Sequence, residues 1–231
     1  MPNIVKKTTF PNLLDLLAPH SCRGCGRIGK VLCDRCKNNI ILDHANFCPH
    51  CKSKTPSGQC QKCKNLPPIF VVDHRTSLTG KLVHDFKYHS IRALARPLAE
   101  ILTQITPITH DNTIVVPLPT INRHIRERGL DHTHLIAKHF TNINHYEIQK
   151  LLVRAKNTVQ VGADRKARLT QASTAYQINP KIKIDPDTTY ILFDDVWTTG
   201  ASIKSAIKKL QQAGVQKIIV TILAVSDINQ G

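Results

Sequence analysis

The sequence predicts an α/β protein built on a parallel sheet, with a small cysteine-rich module in front of it. Three observations carry that prediction. From residue 69 onward, short apolar runs alternate with longer amphipathic stretches, the pattern of buried strands joined by crossover helices. All eight cysteines fall between Cys22 and Cys63. The chain is 231 residues long, which gives room for one good core plus a small module. The expected organisation is a cysteine module over 1–66, a linker at Pro67-Pro68 and a sheet domain over 69–231.

The cysteines form four Cys-x-x-Cys pairs: Cys22/Cys25, Cys33/Cys36, Cys48/Cys51 and Cys60/Cys63. Such a pair lets two thiolates reach one tetrahedral Zn²⁺ from a tight turn. Gly24, Gly26, Pro49 and Gly58 supply turn residues beside the pairs. Eight ligands make two complete Cys₄ sites with none left over, and closed sites of this type help fold a segment that has little core of its own. Disulfides suit a cytosolic chain poorly. A redox dithiol would need one pair in a thioredoxin-like setting rather than four in series. An iron–sulfur cluster is the remaining alternative, and regular knuckles favour zinc over it. Sequential pairing closes short loops and is preferred to a cross-brace. His20, His44 and His50 then have no ligand duty.

After the linker, Ile69 to Arg75 reads as a strand, and Leu78–Tyr88 and Ile91–Gln104 as helices. The second helix has Leu94, Ala95, Leu98, Ile101 and Leu102 as its apolar stripe, with Pro97 blurring its start. Thr113 to Val116 is a second buried strand, ending in Pro117-Leu118-Pro119. Arg123, Arg126 and Arg128 follow it, either to meet an anion or as a solvated basic helix face. Asp131 is placed to cap the next helix. His132 and His134 are two apart, so they do not share a helical face and suggest no metal site. Residues Arg154 to Gln171 are polar and basic, either a loop closing over a phosphate or a solvated connection. Tyr176-Gln177-Ile178 reads as a short edge strand.

The stretch from Tyr190 to Ser202 is the most informative. Tyr190 to Phe193 is a short apolar run, read as a buried parallel strand. Asp194 and Asp195 follow it, then the turn Thr198-Thr199-Gly200-Ala201-Ser202, then an amphipathic helix carrying Ile203, Ala206, Ile207, Leu210 and Ala213 on one face. Gly214 is the expected stop, and Lys217 to Val225 the next buried strand. In such βαβ units ligands sit at the carboxyl ends of the strands. Gly200 lets the backbone approach a phosphate. The first N–H groups of the helix favour an anion, and Thr198, Thr199 and Ser202 add hydroxyl donors. Acceptor-only carboxylates suit a vicinal diol, so Asp194 and Asp195 would take the ribose hydroxyls of a ribose 5-phosphate. There is no Gly-x-Gly-x-x-Gly and no P-loop, so dinucleotide and ATP sites lose support.

The form "four apolar, Asp-Asp-x-x-Thr-Thr-Gly-x-Ser" resembles the signature loop of type I phosphoribosyltransferases, which bind phosphoribosyl pyrophosphate (PRPP). The whole chain resembles the ComF family of competence proteins, related to GntX. The matches are the cysteine module from Cys22 to Cys63, Phe86-Lys87-Tyr88 with Ala93-Leu94-Ala95, Val116 to Pro119 with Arg126 to Gly129, Gln160 with Arg165 and Arg168, and the loop itself. The sequence departs from the family where Leu130-Asp131-His132 replaces the usual Phe-Asn-Gln, where Gln171 replaces an Asn, and where the bulky Trp197 enters the loop.

The resemblance implies a type I phosphoribosyltransferase fold and PRPP binding by Asp194, Asp195, Thr198, Thr199, Gly200, Ala201 and Ser202, with Mg²⁺ on the pyrophosphate. It also implies handling of single-stranded DNA in natural competence, beside a helicase and the uptake channel. Two readings follow: a phosphoribosyltransferase of unknown acceptor, or a nucleic-acid-binding adaptor or PRPP-sensing regulator that does not turn PRPP over. The formal net charge of +16 fits nucleic acid, acidic membranes and phosphates alike. Aromatic residues at 5% argue against a long base-stacking platform. No apolar stretch approaches the roughly 20 residues of a membrane span. Leu13 to Pro19 is short and interrupted by Asp15, so no signal peptide is expected. The expected compartment is the cytosol, with the inner face of the membrane as an alternative.

Overall fold

The computed structural model describes residues 20–74, 77–107, 109, 112–155 and 175–226. Leu13 to Pro19, Arg75, and the segment holding Gln160, Gly162, Arg165, Arg168 and Gln171 lie outside the described residues.

A parallel sheet of five strands runs in the order β3 (Ile69–His74), β9 (Lys217–Val225), β8 (Thr189–Trp197), β4 (Thr113–Pro117), β5 (Glu147–Ile148). Every pairing in it is parallel. The three inner strands are apolar on both faces because both faces are covered. On one face lie α2 (Leu78–Tyr88), α3 (Ala95–Ile105) and α5 (His132–Asn144), packed on Val115, Ile191 and Phe193. On the other lie α6 (Ala201–Gln212) and an antiparallel ribbon of β6 (Leu152–Arg154) and β7 (Tyr176–Ile178), packed on Val116, Tyr190 and Leu192. Among the described residues no helix is long and apolar enough to cross a membrane.

Local chemistry explains the boundaries. Leu94, Ala95, Leu98, Ile101 and Leu102 are all fully buried, as their spacing predicts. Pro97 sits in the first turn of α3, where a missing N–H costs no helical hydrogen bond. A single 3₁₀ turn, Arg92–Leu94, leads into it. Asp131 caps α5 by accepting from the His134 N–H at 3.2 Å. Gly214 follows α6 with a φ of +96°, and the Val215 N–H returns to the Leu210 carbonyl at 3.1 Å.

Two expectations change. The strand read as Tyr190 to Phe193 is longer. Asp194, Val196 and Trp197 pair with Ile222, Ala224 and Val225 of an equally long β9, so both acids lie within the strand, not beyond it. Tyr176–Ile178 is not an edge of the main sheet, because it pairs with β6 in a ribbon of its own.

The cysteine region packs directly on the sheet layer. It contains the short strands β1 (His20–Ser21) and β2 (Ile28–Gly29) and one helix, α1 (Asp34–Leu42). Cys22, Leu32, Cys36 and Ile40 share a core with Leu82, Val83 and Phe86. Its second half covers the open edge of β3. The Asn46 amide donates to the Thr55 and Ile69 carbonyls at 2.8 and 3.0 Å and accepts from the Val71 N–H at 3.0 Å. The Ile69 N–H donates to the Gly58 carbonyl. A side-chain amide thus does what a sixth strand would do for a vulnerable edge. Asn46→Ala leaves buried backbone groups unpaired and is expected to lower stability by about 3 kcal/mol, read by denaturant unfolding.

Candidate functional site

Two sites emerge, one of sulfurs and one of mixed charge. In the cysteine region, Cys22, Cys25, Cys33 and Cys36 place their sulfurs within 4.8 Å of one another, and so do Cys48, Cys51, Cys60 and Cys63. The grouping is sequential, as short loops favour. Cys25 and Cys33 are 3.6 Å apart and Cys51 and Cys60 are 3.5 Å apart, near the ~3.8 Å edge of a tetrahedron with 2.3 Å metal–sulfur bonds. No cysteine is in a disulfide. Burial, the largest influence on the Cys22 thiol, raises its pKa, but backbone N–H groups of Cys33, Cys25 and Gly24 outweigh it and bring it down to about 6. Ser53 does the same for Cys51, also to about 6. Burial and neighbouring sulfurs push Cys36 and Cys63 up to about 12. Each group therefore holds one sulfur that ionises easily beside one that resists, the condition a central cation relieves. Four such donors suit a divalent metal such as Zn²⁺.

The second site is a cavity of about 300 Å³ at the carboxyl ends of β4 and β8. Asp194, Asp195, Thr198 and Ser202 line it, so one segment supplies both carboxylates and two hydroxyls. Thr199, Gly200 and Ala201 form the turn behind them, with the Ala201 N–H donating to Thr199 Oγ1 at 3.3 Å. Gly200 caps α6 with a φ of +74°. A Cβ there would lie 2.1 Å from the Trp197 ring, so the position excludes any larger residue. Trp197 itself is buried beneath the turn and is not among the residues lining the cavity. Its bulk props the loop rather than filling the pocket.

The two acids differ because neighbours on a strand face opposite ways. Asp195 is buried toward α2 and α5. Lys87 reaches its Oδ1 at 2.8 Å, and Thr133 Oγ1 donates to its Oδ2 at 3.3 Å. Asp194 keeps some surface in the cavity and accepts from the Asp195 N–H at 2.9 Å. Burial first, then the Asp195 charge, raises its pKa far above the carboxylate range, to about 8, against the opposing pull of Lys87. On the far side Arg154 donates from Nε to the Pro119 carbonyl at 3.0 Å and lies over Tyr176, which is fully buried. At the mouth, Arg128 sits over the exposed Tyr88 ring at 5.0 Å, with the His84 ring 4.9 Å from Tyr88 on its helix. His132 stacks edge-on to Phe86, and burial, then the Arg128 charge, lowers its pKa.

Of the three arginines on α4 (Asn122–Arg128), only Arg128 lines the cavity; Arg123 pairs with Glu127 at 2.6 Å in solvent. Sequence reasoning passed over Lys87, Thr133, Arg154 and Tyr176 as wall residues. Lys87 carried a faint signal, a cation directly beside the apolar Phe86. The others are assembled only by the crossing of α5 and the ribbon. A third group, His84, Asp85 and His89, has ligand atoms within 4.8 Å of one another. Both Asp85 oxygens are already engaged, by Arg23 and His89, so it is an ion-pair network.

No protein-family profile matches the chain. It is similar to Competence protein F of Haemophilus influenzae, 25% identical over 218 residues, which covers 88% of this chain and 94% of that protein. It is also similar to Competence protein ComFC of Bacillus subtilis, 22% identical over 198 residues, 79% of each chain.

Proposed function

We propose that this chain, which belongs to the ComF family, serves in competence by binding PRPP as its Mg²⁺ complex. The observation that carries the reading is one segment, Asp194 to Ser202, running from the end of β8 into α6 and lining a cavity with two carboxylates and two hydroxyls. In this reading the N–H groups that open α6, with Thr198 and Ser202, take the 5-phosphate, while Thr199, Gly200 and Ala201 shape the turn. Asp194 accepts one of the two ribose hydroxyls, and Asp195, steadied by Lys87, takes the other. Arg154 and Arg128 face the pyrophosphate side. Transfer to an acceptor would be seen as pyrophosphate release, with positioning and electrostatics carrying the rate.

The test is a calorimetric titration with Mg²⁺–PRPP. Asp194→Asn is expected to weaken binding at least about tenfold, the effect of losing a charge-assisted hydrogen bond. A carboxyl with its pKa raised to about 8 is protonated at neutral pH in the free protein, so binding its ionised form releases a proton. Affinity should therefore rise with pH up to about 8 and level off above it, by up to about tenfold per unit. Asp194→Asn should flatten that profile. An unchanged affinity in the variant refutes the reading.

The two sulfur clusters are proposed as structural zinc sites, expected to give two zinc ions per chain on metal analysis. A second reading, an adaptor on single-stranded DNA, draws support from the exposed Tyr88–Arg128 pair and the net charge of +16. It requires affinity that falls steeply with salt.

A further inference from the structure

Two charged side chains of helix α2, Lys87 and Asp85, face opposite ways. Lys87 reaches into the cavity to Asp195. Asp85, two residues earlier and so about 200° around the helix, takes Arg23 from the first cysteine turn, Nε to Oδ2 at 2.8 Å. The Asp85 side chain is only 4% exposed, and with its other oxygen on His89, Arg23 is the permanent charge that balances it. The Asp85 carbonyl also closes the end of the helix, accepting from the His89 N–H at 3.0 Å and the Ile91 N–H at 3.4 Å. Arg23 stands between Cys22 and Cys25, on a turn with no slack. A Cβ on Gly24 would lie 2.8 Å from the Cys36 sulfur and 3.1 Å from Leu78 at the start of α2. The turn contacts the buried carboxylate, and the backbone of α2 joins that carboxylate to the pocket lysine two residues on.

We infer that Arg23 is a positioning residue for the pocket: by holding Asp85 it fixes the rotation of α2 and so sets Lys87 against Asp195. The inference rests on the PRPP reading of the cavity. It gives the cysteine module a task beyond its own folding. The second knuckle touches the other wall in a similar way, with His50 Nδ1 3.1 Å from Lys204 Nζ on the first turn of α6.

The test is Mg²⁺–PRPP titration of the full chain with Arg23→Gln, Arg23→Lys, Lys87→Met and the double variant R23Q/K87M, with metal content measured on each. Arg23→Gln is expected to weaken binding about 5–10-fold with metal content unchanged, and Arg23→Lys to restore most of it. The double variant should bind no more weakly than Lys87→Met alone, because both changes act through one lysine. Losses that multiply in the double variant, or an Arg23→Gln affinity equal to the parent's, overturn the inference. If Arg23→Gln sheds metal, Asp85→Asn cuts the same link from the helix side and is expected to show the same loss. An unchanged affinity there overturns it equally. A parent protein that binds no PRPP refutes the reading of the cavity, whereas binding indifferent to Arg23 refutes only this positioning role.

Discussion

Stripping the metal from both cysteine clusters is expected to unfold the region from His20 to Leu66 and to lower the melting temperature of the whole chain by about 10 °C or more. The region contains one helix of nine residues and two strands of two residues each, too little to hold itself. Its sulfurs are not passive ligands at the surface. Cys22 and Cys36 lie in the same core as Leu82, Val83 and Phe86. Loss of the first cluster therefore exposes the outer side of α2. Loss of the second uncovers the β3 edge that Asn46 and Gly58 now pair, leaving a template for aggregation. Scanning calorimetry beside a metal-release assay reads both effects. Cys36→Ser should reproduce the first with about one ion lost. A melting temperature that survives complete metal removal would show that the clusters contribute little to the fold.

The fold was legible wherever one physical signal decided it. Lys217–Val225 and Leu78–Tyr88 have the bounds that their apolar patterns predict, because burial on one face or both is what those patterns encode. The cysteine grouping was legible because loop closure favours near neighbours. The end of β8 was not, because polarity was read as the end of the strand, whereas the pairing partner β9 sets its length. The cavity was half legible. Asp194, Asp195, Thr198 and Ser202 arrive together on one segment, and a segment can be read. Lys87, Thr133, Arg154 and Tyr176 come from α2, α5 and the ribbon, so only their crossing brings them to the same wall. Trp197 shows the same limit in reverse. Its place in the loop marked it as a bulky departure beside the pocket, yet its ring lies in the core with Tyr190, Leu192 and Ile203, beneath Gly200.

Lys87→Met is expected to lower stability by about 3–4 kcal/mol, roughly 10 °C in melting temperature. Among the described residues Asp195 would keep only the Thr133 hydroxyl, and a carboxylate whose side chain is 9% exposed has little water to turn to. The size of the loss measures the stranded charge rather than the worth of the pair, so a second change separates the two. In the double variant Lys87→Met with Asp195→Asn the charge is gone, and about half the lost stability or more should return. Binding should behave differently. If Asp195 meets the ribose, removing it does not restore what removing Lys87 took away, and the double variant stays weak for Mg²⁺–PRPP while its stability recovers. If affinity returns together with stability, Lys87 and Asp195 serve the fold alone, and Asp194 is left to carry the ribose. On the proposed reading the pair is where folding and ligand recognition meet, and these two readouts, taken on the same variants, tell them apart.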